Sequence, residues 1–147
     1  MIAVREVETR LRARGGRATR QRRAIYSALA ARHDHPTAEL LHREIRRRIP
    51  ELSLATVYRA LDVLVRSGLA IRLPDASGVA RFDARTEDHD HLRCLGCGRV
   101  EDLPASHRPE PDIDRQTASF TVTGYHLELV GYCAGCGVPQ AGQGDRP

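Results

Sequence analysis

Residues 53–83 read SLATVYRALDVLVRSGLAIRLPDASGVARFD. Ser53 carries a side-chain oxygen that can accept a backbone N–H of a first helical turn. Behind it Val57, Leu61, Leu64 and Val65 recur on one stripe at the helical period, which predicts a helix over roughly Leu54–Ser67. Gly68 ends it. Two short β patterns follow, Ala70–Leu73 and Val79–Phe82, on either side of the turn-forming string PDASG. The stretch is therefore one amphipathic helix running into a hairpin.

Upstream the pattern is helical. Residues 4–14 put Val4, Val7 and Leu11 on one face, and Gly15–Gly16 ends that helix. Thr19 is expected to cap a second helix, roughly Arg20–Arg32, with Ile25, Ala28 and Leu29 inward. HDHP at 33–36 breaks the chain, and Thr37 caps a third helix, roughly Ala38–Ile49, with Leu41, Ile45 and Ile49 inward, stopped by Pro50. Four helices and a hairpin predict a winged helix-turn-helix over residues 1–83, in which the helix after the short turn enters the major groove of DNA. The residues of that helix off its apolar stripe are Ala55, Thr56, Tyr58, Arg59, Asp62 and Arg66. Ala55 and Thr56 stand near its start, where phosphates or base edges are reached. Tyr58 and Arg59 can give a phosphate bond, a contact to a thymine methyl or a guanine contact. Arg20, Arg22 and Arg23 are expected on phosphates, which adds salt-dependent affinity without sequence choice.

Charge supports this division. Residues 1–82 hold 17 Arg against 8 acids, a net of +9, whereas residues 83–147 hold 6 Arg against 11 acids, a net of −5. Arginine-rich helix faces are commonly just solvated, so the charge counts for DNA binding only together with the helix order and the hairpin. No apolar run approaches the roughly 18 residues of a membrane span, and the first 16 residues lack a signal-peptide pattern. A cytoplasmic protein without a membrane partner is expected.

Residues 84–147 carry the metal chemistry, with a tail from about 138 expected to be disordered. Cys94 and Cys97 form one CxxC pair, and Cys133 and Cys136, after a strand over Leu127–Tyr132, form another. Two such turns can close a tetrahedral four-thiolate zinc site with no open position, which makes it structural. A redox dithiol or free buried thiols are the competing readings. His89 and His91 lie two residues apart, so an extended strand puts both on one face, with Asp90, Leu92 and Cys94 on the other. With Asp83, Asp88, Asp90 and Asp102 nearby they make an imidazole–carboxylate set without thiolate, which leans to iron or manganese.

At this point the chain resembles the ferric uptake regulator (Fur) family of metal-dependent repressors, from about Thr19 to Cys136. The matching strings are Thr19-Arg-Gln-Arg22, His35-Pro-Thr-Ala38, Ala55-Thr-Val-Tyr-Arg59, Arg81-Phe-Asp83, His89-Asp-His91, Cys94-Leu-Gly-Cys97-Gly and Cys133-Ala-Gly-Cys136. The resemblance implies an α+β protein: an N-terminal winged helix, then a small α/β dimerisation domain with the four-cysteine zinc. It implies a regulatory Fe(II) or Mn(II) site of His35, Asp83, His89, His91 and Asp102, and a homodimer bound to a palindromic operator in double-stranded DNA. It does not imply an enzyme, and no nucleophile–base pair or phosphate-cradling loop suggests one. Asp at both 83 and 102, where iron sensors usually have Glu, is similar to the peroxide-sensing PerR branch. In that branch peroxide oxidises a ligand histidine at bound Fe(II), here His35 or His89, and the operator is released.

Two features depart from the family pattern. A second histidine-rich site looks absent: Tyr125 stands where a histidine is expected, His126 comes one position late, Asp88 replaces another, and only Asp90 is clear. Asp88 and Asp90 thus read as remnants of that site or as surface charge. Pro109 and Pro111 interrupt the expected dimerisation helix within Pro104–Ser119, leaving at most a short helix from Asp112, and His107 is expected at the surface. The alternatives are an iron- or zinc-responsive Fur regulator, a zinc-ribbon enzyme or redox protein using CxxC as a dithiol, and an RNA- or protein-binding zinc module.

Overall fold

Three hydroxyl side chains start three helices. Thr19 Oγ1 accepts the Arg22 N–H at 3.2 Å, Thr37 Oγ1 accepts that of Leu40 at 3.3 Å, and Ser53 Oγ accepts that of Thr56 at 3.2 Å. Each removes one of the donors left over at a helix N-terminus. The structure, a computed structural model, describes residues 4–14, 16–73, 78–107, 121, 123 and 126–139. It divides into two compact units, Met1–Glu87 and Asp88–Pro147.

The first unit runs α1 (Val4–Ala13), α2 (Arg20–Ala30), α3 (Ala38–Ile45), α4 (Leu54–Arg66), β1 (Ile71–Leu73) and β2 (Arg81–Asp83). The strands pair antiparallel, Ile71 opposite Asp83 and Leu73 opposite Arg81. This is the expected order of four helices and a hairpin, although residues 74–77 of its turn lie outside the described residues. Leu11, Ile25, Leu29, Leu41, Val57, Leu61, Leu64, Leu69 and Phe82 are buried in one cluster. Each such side chain contributes about 1.5–3 kcal/mol through removal from water. Helix α2 stops at Ala30 rather than Arg32, and α3 stops at Ile45 rather than Ile49. Residues 46–48 tighten into turns through the Arg47 N–H to Glu44 O and Arg48 N–H to Ile45 O bonds, 3.3 and 2.9 Å. Ile49 still reaches the core at 5% exposure, so the apolar spacing was right about burial and wrong about helix length.

Strand β2 also ties down the segment before α3. The Phe82 N–H donates to the Pro36 carbonyl at 3.1 Å, Arg81 Nη1 donates to the His35 carbonyl at 3.0 Å, and Thr37 forms a bridge with Arg81. The other side of the turn is held by Arg32. Its guanidinium donates to both Asp34 carboxylate oxygens, 2.8 and 2.5 Å, and to Glu44 Oε2 at 2.9 Å.

Among the described residues of the second unit is a three-stranded sheet with β3 (His91–Cys94) in the middle. Strand β4 (Val100–Asp102) pairs antiparallel with it, His91 opposite Asp102. Strand β5 (Glu128–Gly131) pairs parallel, His91 opposite Glu128 and Cys94 opposite Gly131. Arg93, 8% exposed, donates from Nε and Nη2 to Glu128 Oε1 at 2.9 and 2.7 Å across the parallel pair. Asp90 corrects one expectation. It is not surface charge: at 4% exposure its Oδ1 accepts the Leu127 N–H at 3.1 Å and its carbonyl accepts that of Leu103 at 2.7 Å. The short carboxylate satisfies the backbone donor just before β5, which the sheet ladder leaves without a strand partner, and the backbone carbonyl takes the Leu103 donor. Asp88 is exposed. A single 3₁₀ turn, Ala105–His107, follows β4, with His107 exposed as expected; Pro109, Pro111, Asp112 and Tyr125 lie outside the described residues.

Candidate functional site

The four cysteines converge. One sulfur from each of Cys94, Cys97, Cys133 and Cys136 lies within 4.8 Å of the others. The two CxxC turns are alike in construction: the Gly98 N–H closes on the Cys94 carbonyl at 2.9 Å and the Gly137 N–H on the Cys133 carbonyl at 3.0 Å. Gly98 and Gly137 both take left-handed φ, 68° and 62°, a conformation glycine adopts without cost. Gly96 has a different reason. A Cβ there would sit 3.0 Å from both Cβ and Sγ of Cys136, so any larger residue would push the second turn off the first.

The electrostatics fit a divalent cation. Backbone N–H groups of Cys133, Cys97 and Gly96 pull the Cys94 thiol down to about 6, while the crowding of Cys133, Cys97 and Cys94 pushes Cys136 up to about 12. Four thiols this close cannot all ionise on their own, and a cation at their centre removes that conflict. Zinc–sulfur bonds of about 2.3 Å in a tetrahedron put sulfurs about 3.8 Å apart. Cys97 and Cys133 lie 3.8 Å apart. The donor set therefore fits zinc and leaves no position open for substrate.

The nitrogen and oxygen ligand candidates form a set on each unit. In the first unit His35 Nε2 and Asp83 Oδ2 are 3.4 Å apart, at 2% and 7% residue exposure. Asp83 ends β2, and its Oδ1 accepts the Arg85 N–H at 2.8 Å, which turns Oδ2 toward the imidazole. His35 has φ 48°, the sole non-glycine with positive φ among the described residues, and it precedes a proline. Both facts are unfavourable for this backbone, so the flanking bonds from Arg32 and Arg81 are what hold it. In the second unit His89 Nε2 and Asp102 Oδ1 are 3.5 Å apart, and the His89 and His91 rings meet at 4.5 Å. The ladder explains the grouping: His91 opposes Asp102, and His89 lies two residues back on the same face. Separations of about 3.4 Å are the ligand–ligand edges expected around a metal with bonds near 2.1 Å.

The outer face of α4 carries the remaining candidates. Ala55, Tyr58 and Arg59 are exposed and Thr56 is half-buried. Thr56 Oγ1 shares a hydrogen bond with Ser53 Oγ at 2.8 Å, and Tyr58 Oη donates to Glu39 Oε1 at 2.5 Å. Arg20 is exposed, Arg22 donates to the Arg17 carbonyl at 2.6 Å, and Arg23 is paired with Glu8 at 2.7 Å. The structure also groups residues that sequence reasoning had not joined. Arg14, Arg17, Arg22 and Arg66 line one open cleft without a carboxylate among its lining residues. Arg66 had been seen on the outer face of α4, but nothing in the linear spacing linked it to the residues around α1.

The profile of the Ferric uptake regulator family matches residues 13–130 of the chain. The chain is 37% identical over 132 residues to the peroxide-responsive repressor PerR of Staphylococcus saprophyticus, covering 87% of each. It is 37% identical over 130 residues to the peroxide operon regulator of Bacillus subtilis, covering 86% of this chain and 88% of that one. Among solved structures it is similar to a zinc-bound manganese uptake regulator, with a TM-score of 0.65 at 30% identity over 86% of this chain and 97% of that one.

Proposed function

The chain belongs to the ferric uptake regulator family, and from that premise we propose that it is a metal-dependent, dimeric transcriptional repressor that releases its operator on exposure to hydrogen peroxide. One observation carries the reading furthest. Each unit presents ligands at chelating distance, His35 with Asp83 and His89 with Asp102 beside His91. Neither set alone completes a coordination shell. In this reading one Fe(II) or Mn(II) takes all five residues and so couples the arrangement of the two units to metal binding. A metal that binds one arrangement only shifts the population toward it. The choice of peroxide over iron as the signal is supported by Asp at both 83 and 102, and by relatives named as peroxide-responsive.

The residues then divide the work. Cys94, Cys97, Cys133 and Cys136 hold structural zinc. Asp83, His91 and Asp102 hold the regulatory metal, and His35 and His89 hold it and are the oxidation targets. Bound Fe(II) would activate peroxide for this reaction, whose net balance puts one oxygen on an imidazole carbon, releases the other as water and takes the two electrons from the imidazole. Losing that imidazole as a ligand breaks the link between the units. On the DNA side Ala55, Thr56, Tyr58 and Arg59 face the major groove, and Arg20 and Arg22 reach phosphates. The Arg14–Arg17–Arg22–Arg66 cleft favours phosphate contact too, because a guanidinium that donates once to a carbonyl keeps further donors. A homodimer on a palindromic site in the cytoplasm follows from the same reading, since half-site spacing mirrors two-fold symmetry. No helix among the described residues is long and apolar enough to cross a membrane.

The test is a gel shift with a selected DNA duplex and the protein loaded with Fe(II) or Mn(II), with and without micromolar peroxide, followed by peptide mass spectrometry. Expected are metal-dependent binding with both ions, loss on peroxide with iron only, and one added oxygen on the His35 or His89 peptide. Iron-dependent binding that survives peroxide with both histidines unmodified would establish the iron-responsive reading instead.

A further inference from the structure

An acid on the DNA-facing side of a basic unit calls for an explanation. Glu39 sits in the first turn of α3, and Tyr58 stands on the exposed face of α4, 41% accessible. They are nineteen residues apart in the chain, yet Tyr58 Oη donates to Glu39 Oε1 at 2.5 Å. Each perturbs the other. The phenol pulls the Glu39 carboxyl below its ordinary value, and the carboxylate raises the Tyr58 phenol above its own. The bond is thus charge-assisted, the stronger kind of hydrogen bond. Glu39 is held ready for it by its place at a helix N-terminus, where negative charge is favoured.

A phenol has one proton to donate. Tyr58 gives it to Glu39, and what it can still offer DNA is its ring edge and an acceptor lone pair. Phosphate oxygens accept hydrogen bonds and cannot use either. Base edges can: a thymine methyl packs on the ring, and the amino groups of cytosine and adenine donate to an acceptor. A carboxylate in this place also repels phosphates, so it weakens binding to any sequence.

We propose that Glu39 is a positioning residue for sequence readout: it holds Tyr58 in one orientation with its proton turned aside, so that Tyr58 reads a base edge and not a phosphate. The proposal rests on the DNA-binding reading above and adds a specificity-determining residue outside the recognition helix.

The test uses the full-length Mn(II)-loaded protein, a duplex selected with it from a random library, and a random-sequence duplex of equal length. Affinities for both are measured for wild type, Glu39→Ala, Glu39→Gln, Tyr58→Phe and Tyr58→Phe/Glu39→Ala. Glu39→Ala is expected to lower the selected-to-random affinity ratio about tenfold while affinity for random DNA rises. Glu39→Gln keeps an acceptor for the phenol and is expected to hold the ratio within about twofold of wild type. With Tyr58→Phe in place, Glu39→Ala should change the ratio no further. A Glu39→Ala protein that binds both duplexes more tightly in equal measure overturns the proposal, because Glu39 is then only a repulsive charge. Selection that enriches no duplex with wild-type protein overturns the DNA-binding reading itself, which is a separate result. Tyr58 is exposed and Glu39 half-buried, and a thermal melt of each variant verifies folding.

Discussion

His35 shows how much a single residue can owe to its surroundings. Its φ of 48° before a proline is a conformation that asparagine tolerates better than alanine. Metal-free His35→Asn is therefore expected to be more stable than His35→Ala by about 1 kcal/mol, read from urea unfolding. Equal stability of the two variants would show that the backbone at 35 relaxes. One residue earlier, Asp34 is held below the ordinary carboxylate range by hydrogen bonds from Arg32 and by its charge. A depressed folded value means that the pair adds stability above the unfolded carboxylate value, about 3.9, and loses it as pH falls through the folded one. Asp34→Asn should lower the urea midpoint at pH 7 and match wild type more closely by pH 3. The Asp34 side chain is 42% exposed, so solvent screening limits the effect at pH 7 to under about 1 kcal/mol.

At the scale of elements, α4 depends on its cap. Ser53 Oγ accepts the Thr56 N–H and also shares a bond with Thr56 Oγ1, so one hydroxyl orders the first turn of the proposed recognition helix. Ser53→Ala is expected to cost about 1 kcal/mol by urea unfolding, and Ser53→Asp to restore most of it. If Ser53→Asp is no better than alanine, the cap is not what starts this helix. Sequence reading did well on these elements because caps and stripes are local. Thr19, Thr37 and Ser53 announced three starts, and all three carry the expected bond. It did less well on ends: α3 gives way to tighter turns at Ile45 while the apolar period continues to Ile49, and period alone does not tell one turn from the other. The parallel pairing of β3 with β5 was not legible at all, because parallel strands are joined through long connections and carry no hairpin signal.

For the whole molecule the two units differ in what holds them. The first closes a hydrophobic cluster of its own, from Val7 to Phe82. The second is a small sheet whose central strand ends in Cys94, with Leu129, Val130 and Tyr132 of the β5 region exposed. A unit of this length, Asp88–Pro147, can close only a marginal apolar core, and a metal commonly makes up the difference. Cys133→Ser, or removal of zinc by a chelator, should therefore unfold residues 88–147 while the helical circular dichroism of residues 1–87 survives. Bound zinc by elemental analysis should fall from about one to well below one per chain. Loss of helix in parallel with zinc would show that the first unit depends on the second.

Sequence alone determined the helix starts, the buried stripes, the split of charge and the grouping of cysteines apart from candidate imidazole–carboxylate ligands. Each of these rests on residue type and short-range spacing, which the chain carries without folding. Tertiary structure decided the rest. Asp90 proved to be a backbone acceptor inside the sheet, because folding brings the Leu127 N–H, 37 positions along the chain, to its carboxylate. His35 and Asp83, 48 positions apart, came to 3.4 Å because β2 lies along the segment before α3. Tyr58 found Glu39 across the α3–α4 packing, a meeting no periodicity encodes. Contacts at long sequence separation depend on how elements pack, and packing is a property of the whole core, not of any one stretch.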